Sequence, residues 1–262
     1  MNTLELNRPA IRRIVTGIAM RHTLRFALAG LVFTTVFSLL ISPARAGLEE
    51  GVAAYQTNNL PLAMKEFRSG AETNDSNCQF NLALMYEQGL GVAKDEKEAR
   101  VWYRKAAELG NANAQFNLAV LYENGRGGGV DFAQANQWYR QAAVQGDALA
   151  IGNLGMLYVR GDGVKINLVA GMALLLQSVT LDNSSENLAR NNLSAIRGLT
   201  VESITTAQKL AAEMSDAKNL LVPLDQYLNS AATNAAVNAT NPAVIMTNAA
   251  GESSGLTNHL TN

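Results

Sequence analysis

Histidine is nearly missing from this 262-residue chain: only His22 and His259 occur, close to opposite ends. Ser-His-Asp and Cys-His nucleophile pairs therefore have no imidazole anywhere between them. Cysteine is scarcer still. Cys78 stands alone, so no internal disulfide framework can form, and one sulfur cannot complete a tetrahedral zinc set. Charge of one sign is lacking too. With 21 basic and 22 acidic residues the formal net charge is −1, which leaves no basic stripe for nucleic acid. The glycine run beginning at Gly125 lacks the Gly-Lys-Ser/Thr ending and the preceding strand that a phosphate cradle needs. These absences leave no catalytic, metal-ligating or cofactor-binding residue to assign, and the chain is expected not to be an enzyme.

One long apolar run is present, Phe26 to Ile41. Arg8, Arg12, Arg13, Arg21 and Arg25 precede it, and Ala44-Arg45-Ala46 follows. A basic region, an apolar stretch and a small-residue site make a secretory signal over 1–46, with cleavage predicted after Ala46. The run is short for a membrane span, which needs about 20 apolar residues. The segment before Met20 is long for such a leader, so Met20 is an alternative start to Met1.

What the chain has in abundance is repetition. "CQFNLALMYEQGLG", "AQFNLAVLYENGRG" and "AIGNLGMLYVRGDG" place Asn81, Asn117 and Asn153 at steps of 36 residues. Tyr86, Tyr122 and Tyr158 keep the step, as do Gly89, Gly125 and Gly161, and Trp102 lies 36 before Trp138. A fixed period of this size over two amphipathic phrases is the mark of a helical repeat array. In each copy Phe80, Leu82, Met85 and Tyr86, or their equivalents, supply one apolar helical face. Gly89 and its equivalents stop that helix. Asp95, Asp131 and Asn167 are suited to cap a second helix, whose buried face is Ala99, Trp102, Tyr103 and Ala106. Both tryptophans are expected in the core. Cys78 takes the place of Ala114 and Ala150 and is expected as a small buried hydrophobe.

Thirty-six residues before the first clear copy, Asn59, Ala63, Phe67, Arg68 and Ala71 match the second-helix positions. A first helix around Leu48 to Gln56 would pair with it through a shorter loop. At the other end "LVAGMALLLQSVTL" carries no charge, so it needs cover on more than one face. Asn183 with Glu186 resembles a capping box opening a helix that ends near Gly198. A second helix then carries Ile204, Ala207, Leu210, Ala211 and Met214 in register. Beyond Tyr227 the chain is mostly Asn, Ala, Thr and Ser, and disorder is expected; "NLLVPLDQYL" just before it is compatible with packing on the cap.

The phrase "AQFNLAVLYENGRGGGVDFAQANQWYRQAAVQGDA" resembles a Sel1-like repeat, the longer-loop relative of the tetratricopeptide repeat. The expected fold is all-α, a solenoid of helical hairpins with a C-terminal helical cap. It comprises a tetratricopeptide-like hairpin over 47–76 and three repeats over 77–112, 113–148 and 149–182. Capping helices over 183–216 and a linker with a disordered tail over 217–262 follow. The third unit departs from the pattern, with Leu174 for the tryptophan and Gly171 for the alanine. The resemblance implies a protein-interaction adaptor, here exported to the periplasm, with a protein or peptide partner, no nucleic acid and no stable membrane span after cleavage. It also places Asn81, Asn117 and Asn153 among the positions that line a concave groove, beside Phe80, Phe116, Leu84 and Val120. These seven are the candidate partner-binding residues. The bland alternative for the asparagines is hydrogen bonding between repeats. Rivals from other classes are an envelope hydrolase and a secreted host-interaction factor. Some cysteine-rich relatives are associated with penicillin binding or hydrolysis, but this chain lacks their paired cysteines.

Overall fold

The computed structural model describes residues 43–184 and 187–240, with side chains between 47 and 232. Eleven helices and no strand occur among them. Residues 1–42 of the expected leader and 241–262 of the expected tail lie outside the described residues. The chain divides into two compact units, Met1–Cys78 and Gln79–Asn262.

In the first unit α1 (Pro43–Gln56) and α2 (Leu60–Glu72) form a hairpin. Asn58 turns the chain with a φ of 58°, and Asn59 caps α2 by accepting from the Leu62 N–H. Ala63, Phe67 and Ala71 are buried as their period predicts. A Cβ on Gly51 would fall 2.5 Å from the Phe67 ring, so the bare backbone of α1 lets that ring lie flat against it.

The second unit continues from α3 (Ser76–Gln88) through α4 (Glu96–Glu108), α5 (Ala112–Glu123), α6 (Phe132–Val144), α7 (Ala148–Arg160) and α8 (Leu168–Leu181). The caps predicted for the second helices are in place. Asp95, Asp131 and Asn167 accept from the first-turn N–H groups of α4, α6 and α8. Their own N–H groups donate back to the carbonyls of Tyr86, Tyr122 and Tyr158 at 2.8, 2.9 and 2.9 Å, which closes each loop in the same way. Asn111 and Asp147 cap α5 and α7. Two glycines per loop hold left-handed conformations, and the second is a packing site as well. A Cβ on Gly127 would lie 2.2 Å from the Glu96 carbonyl oxygen, and one on Gly163 would lie 2.7 Å from the Phe132 backbone. These two loops therefore press against the start of the preceding repeat's second helix.

The third hairpin is drawn tightest. A Cβ on Gly155 would stand 2.9 Å from the Gly171 carbonyl, and one on Gly171 would stand 2.8 Å from the Gly155 carbonyl. The uncharged α8 is covered as its composition demands, by α7, α9 (Ala189–Ala195), α10 (Val201–Asp216) and, more lightly, α11 (Leu221–Thr240). Ala207, Leu210 and Met214 of α10 are buried in the predicted register.

Two expectations change. The helix expected from Asn183 begins later, at Ala189, and Asn187 organises the approach. Its amide donates to the Ser178 and Asp182 carbonyls and to Ser178 Oγ, and its Oδ1 accepts from the Ala189 N–H. Ser178 Oγ in turn donates 2.7 Å to the Ala148 carbonyl. One buried asparagine thus ties the starts of α7 and α9 to the end of α8. Glu186, the other half of the expected capping box, is outside the described residues. Second, part of the expected linker and tail is helical, because α11 runs to Thr240. Leu220, Leu221 and Leu224 bury its first turns, and alanine, frequent up to Ala239, has the highest helix propensity.

Candidate functional site

The repeated asparagines lead to a repeated constellation. In α4, Tyr103 is fully buried and its hydroxyl donates 2.5 Å to Glu87 Oε2 of α3. That hydroxyl has one proton and the carboxylate takes it, so its oxygen accepts from the next repeat. Asn117 Nδ2 of α5 supplies that bond at 3.3 Å. One step along, Tyr139 donates 2.7 Å to Glu123 Oε2 and accepts from Asn153 Nδ2 at 3.0 Å. The second carboxylate oxygen is met from the next repeat: Arg126 of its loop donates 2.8 Å to Glu87 Oε1, and Arg160 at the end of α7 donates 3.2 Å to Glu123 Oε1. Arg126 also reaches Glu96 Oε1 at 2.8 Å.

Electrostatics follow from this wiring. Burial pushes the Tyr103 and Tyr139 hydroxyls well above the ordinary tyrosine range, and the carboxylates beside them push the same way. Lys94 and then Arg126, both bonded to Glu96, hold its carboxyl below the usual value. Burial, reinforced by Asp75, pushes the Cys78 thiol up to about 12, so this buried sulfur is a core group as its repeat position predicts. Among the described residues no three His, Cys, Asp or Glu side chains converge to hold a metal ion.

Of the seven candidate binding residues, Asn117 and Asn153 are half-buried and each commits an amide proton to a neighbouring repeat. Asn81 occupies the same position in α3, but Phe67 stands where the tyrosine 14 residues before it would be. Phe80 and Phe116 pack on the same tyrosines, with ring centroids 5.8 Å from Tyr103 and 6.0 Å from Tyr139 at nearly equal tilts. Leu84 and Val120 are half-buried against the core one turn further on, and Met156 continues their row in α7. The constellation stops in the third repeat, where buried Leu175 and Ala189 hold the next tyrosine and asparagine positions.

The two tryptophans differ from expectation. Both are half-buried at the margin of the core, while the neighbouring Tyr103 and Tyr139 fill its centre. The Trp102 indole N–H donates 2.9 Å to Glu98, and the Lys105 ammonium lies 3.7 Å over its ring. Trp138 borders a cavity of about 510 Å³ with Glu108, Gln115, Gln137 and Gln141. Sequence reasoning also missed the carboxylates. Glu87 and Glu123 keep the period of 36, and that was the available signal. Arg126 and Arg160 are 34 apart, off the period, so spacing does not connect them.

The Sel1 repeat family matches three consecutive segments, 76–111, 112–147 and 148–183. Among solved structures, the chain is similar to a Sel1 repeat protein from Oxalobacter formigenes. Identity there is 28% over 64% of this chain and 70% of that one, with a TM-score of 0.51. It is also similar to c5321, described as a protective antigen present in uropathogenic Escherichia coli strains displaying an SLR fold. In that case identity is 25% over 72% of this chain, with a TM-score of 0.54, and the match spans 46% of c5321. Comparison with curated proteins finds no match. With three contiguous 36-residue hairpins that share one set of caps, one loop geometry and one inter-repeat bonding scheme, residues 76–183 of this chain form an array of Sel1 repeats.

Proposed function

We propose that the chain is an exported interaction module that works in the periplasm by binding rather than by catalysis. Its partner, a protein or peptide, lies along the row formed by Phe80, Leu84, Phe116, Val120 and Met156. The observation that carries this reading is the repetition of incompletely buried apolar side chains at 36-residue steps on successive first helices. A core residue is buried outright and a solvent-facing one is polar; an apolar residue held half-open at the same place in each repeat has unused contact surface. Asn117 and Asn153 are assigned first to holding repeats in register. The carbonyl oxygen of each remains an acceptor for a main-chain N–H of an extended segment.

Export rests on the leader-like composition of 1–46. No helix among the described residues is long and apolar enough to cross a membrane. Site-specific photo-crosslinking in the periplasm tests the assignment. Probes at Phe116 and Val120 should give the same partner adduct, while probes at the exposed Val101 and Val144 of the second helices should not. Adducts formed equally at all four positions would remove the row as the binding surface.

A further inference from the structure

The C-terminal helix of this chain already shows how a helix docks on a repeat. Arg140 of α6 meets both carboxylate oxygens of Asp225 at 2.6 Å, which holds α11 against the repeat. Tyr158 lies beside the same guanidinium, and Tyr227 of α11 approaches Asn167, the cap of α8. Ile166, next to Asn167 in the chain, is exposed.

One period earlier the same positions recur with nothing docked on them. Arg104 corresponds to Arg140, Tyr122 to Tyr158, Asp131 to Asn167 and Val130 to Ile166, each 36 residues before its counterpart. Val130 is 55% exposed, as Ile166 is 60% exposed. Arg104 donates to the Tyr122 hydroxyl, as Arg140 lies beside Tyr158. A second guanidinium joins it: Arg100, which stands where Asn136 stands in the filled site, lies 3.7 Å over the Tyr122 ring and against Gly128. Neither arginine has an ion pair among the described residues, and Arg100 Nε is buried with no hydrogen-bond partner. Two guanidinium groups gathered on one tyrosine make this a place where a carboxylate is favoured.

We propose that Arg104, Arg100 and Tyr122 form an open copy of the Arg140 site, which docks a partner protein's helix carrying an aspartate as α11 carries Asp225. Charge complementarity selects the occupant, and the chain's own filled site shows the form it takes. Apolar side chains of such a helix would add contacts as in other helix-in-groove modes. This site is separate from the row of Phe116 and Val120. Tyr122 lies five positions beyond Asn117, about 140° round the same helix.

The probe is a labelled synthetic peptide of residues 219–232, titrated into the purified exported chain and followed by fluorescence anisotropy. The wild-type peptide should bind, and the peptide with Asp225→Asn should bind roughly tenfold more weakly, as expected for loss of a charge-assisted pair. Arg104→Gln in the chain should weaken binding to a similar extent, and Arg140→Gln should leave it in place. Melting temperatures report whether Arg104→Gln folds; should it melt low, Arg100→Gln provides the same comparison. Absence of binding, equal binding of the two peptides, or loss only with Arg140→Gln, which would mean exchange with the resident helix, each overturns the proposal. Crosslinking at Phe116 is read in parallel on Arg104→Gln. Its persistence separates failure of this site from failure of the apolar row.

Discussion

Tyr139 shows how much a single hydroxyl organises. It donates to Glu123 and accepts from Asn153, so it links both helices of its own repeat to the next one. Tyr139→Phe keeps the ring and removes both bonds. The expected cost is about 1–2 kcal/mol in urea unfolding, since a net hydrogen bond contributes about 0.5–1.5 kcal/mol and a stranded partner adds to it. Asn153→Ala should cost about 1 kcal/mol, and the double variant should cost clearly less than the sum, because both changes sever one bond. Additive losses would show that the two side chains stabilise the fold separately. The same tyrosines set the alkaline limit. Folding raises the pKa values of Tyr103 and Tyr139 above the ordinary 10.0, so the folded state keeps protons that the unfolded state releases. Their contribution is whole below pH 10 and is lost as pH rises beyond it. Absorbance at 295 nm should show these phenols ionising together with the loss of helical circular dichroism. Smooth ionisation at constant helicity would contradict their burial. Cys78, with its thiol pushed up to about 12, should react with thiol reagents at pH 8 only after denaturant unfolds the chain.

At the scale of elements, the loops distinguish two kinds of glycine. Gly110 has a φ of +87° and open space where a Cβ would go. Gly127 has a φ of +68° and the Glu96 carbonyl oxygen 2.2 Å from that point. Gly110→Ala should therefore cost about 1 kcal/mol, the usual penalty for a left-handed alanine. Gly127→Ala must also push a loop off the start of α4 and should lower the melting temperature much further. Equal effects would mean that the loop gives way at little cost. Hairpins, caps and loop ends were legible in the sequence because helical period, Asp/Asn before an apolar phrase and Gly-x-Gly each have local causes. The approach to α9 was not. Asn187 acts through Ser178, nine residues earlier, and no propensity encodes that meeting. Nor was the margin position of the tryptophans. A repeated position shows a repeated environment, and only packing shows whether that environment is the centre of the core or its edge. The asparagines were recognised as a set, but their partners stayed hidden because a buried tyrosine reads as apolar until its hydroxyl is traced.

For the molecule as a whole, the repeating bonds make a statement about modularity. Tyr103 meets Asn117 and Tyr139 meets Asn153 through the same offset of 14 residues, and the loops press on preceding helices through equivalent glycines. Excising residues 112–147, one whole repeat, would bring Asn153 to the place of Asn117 and Gly163 to that of Gly127. The interface between the new neighbours would then be built from equivalent residues. Arg160 is the exception, since it would arrive two positions out of step with Arg126. The shortened chain should thus fold with undiminished helicity per residue. Because repeat stability is roughly a sum of units and neighbour interfaces, it should unfold at lower urea, and its smaller m-value should reflect the surface of one missing repeat. A cooperative transition with those two changes would show that the relay and the loop glycines are sufficient to join repeats. Loss of cooperativity would instead place the specificity of stacking in the contacts that do not repeat, with the Arg126–Glu87–Glu96 cluster the first to restore.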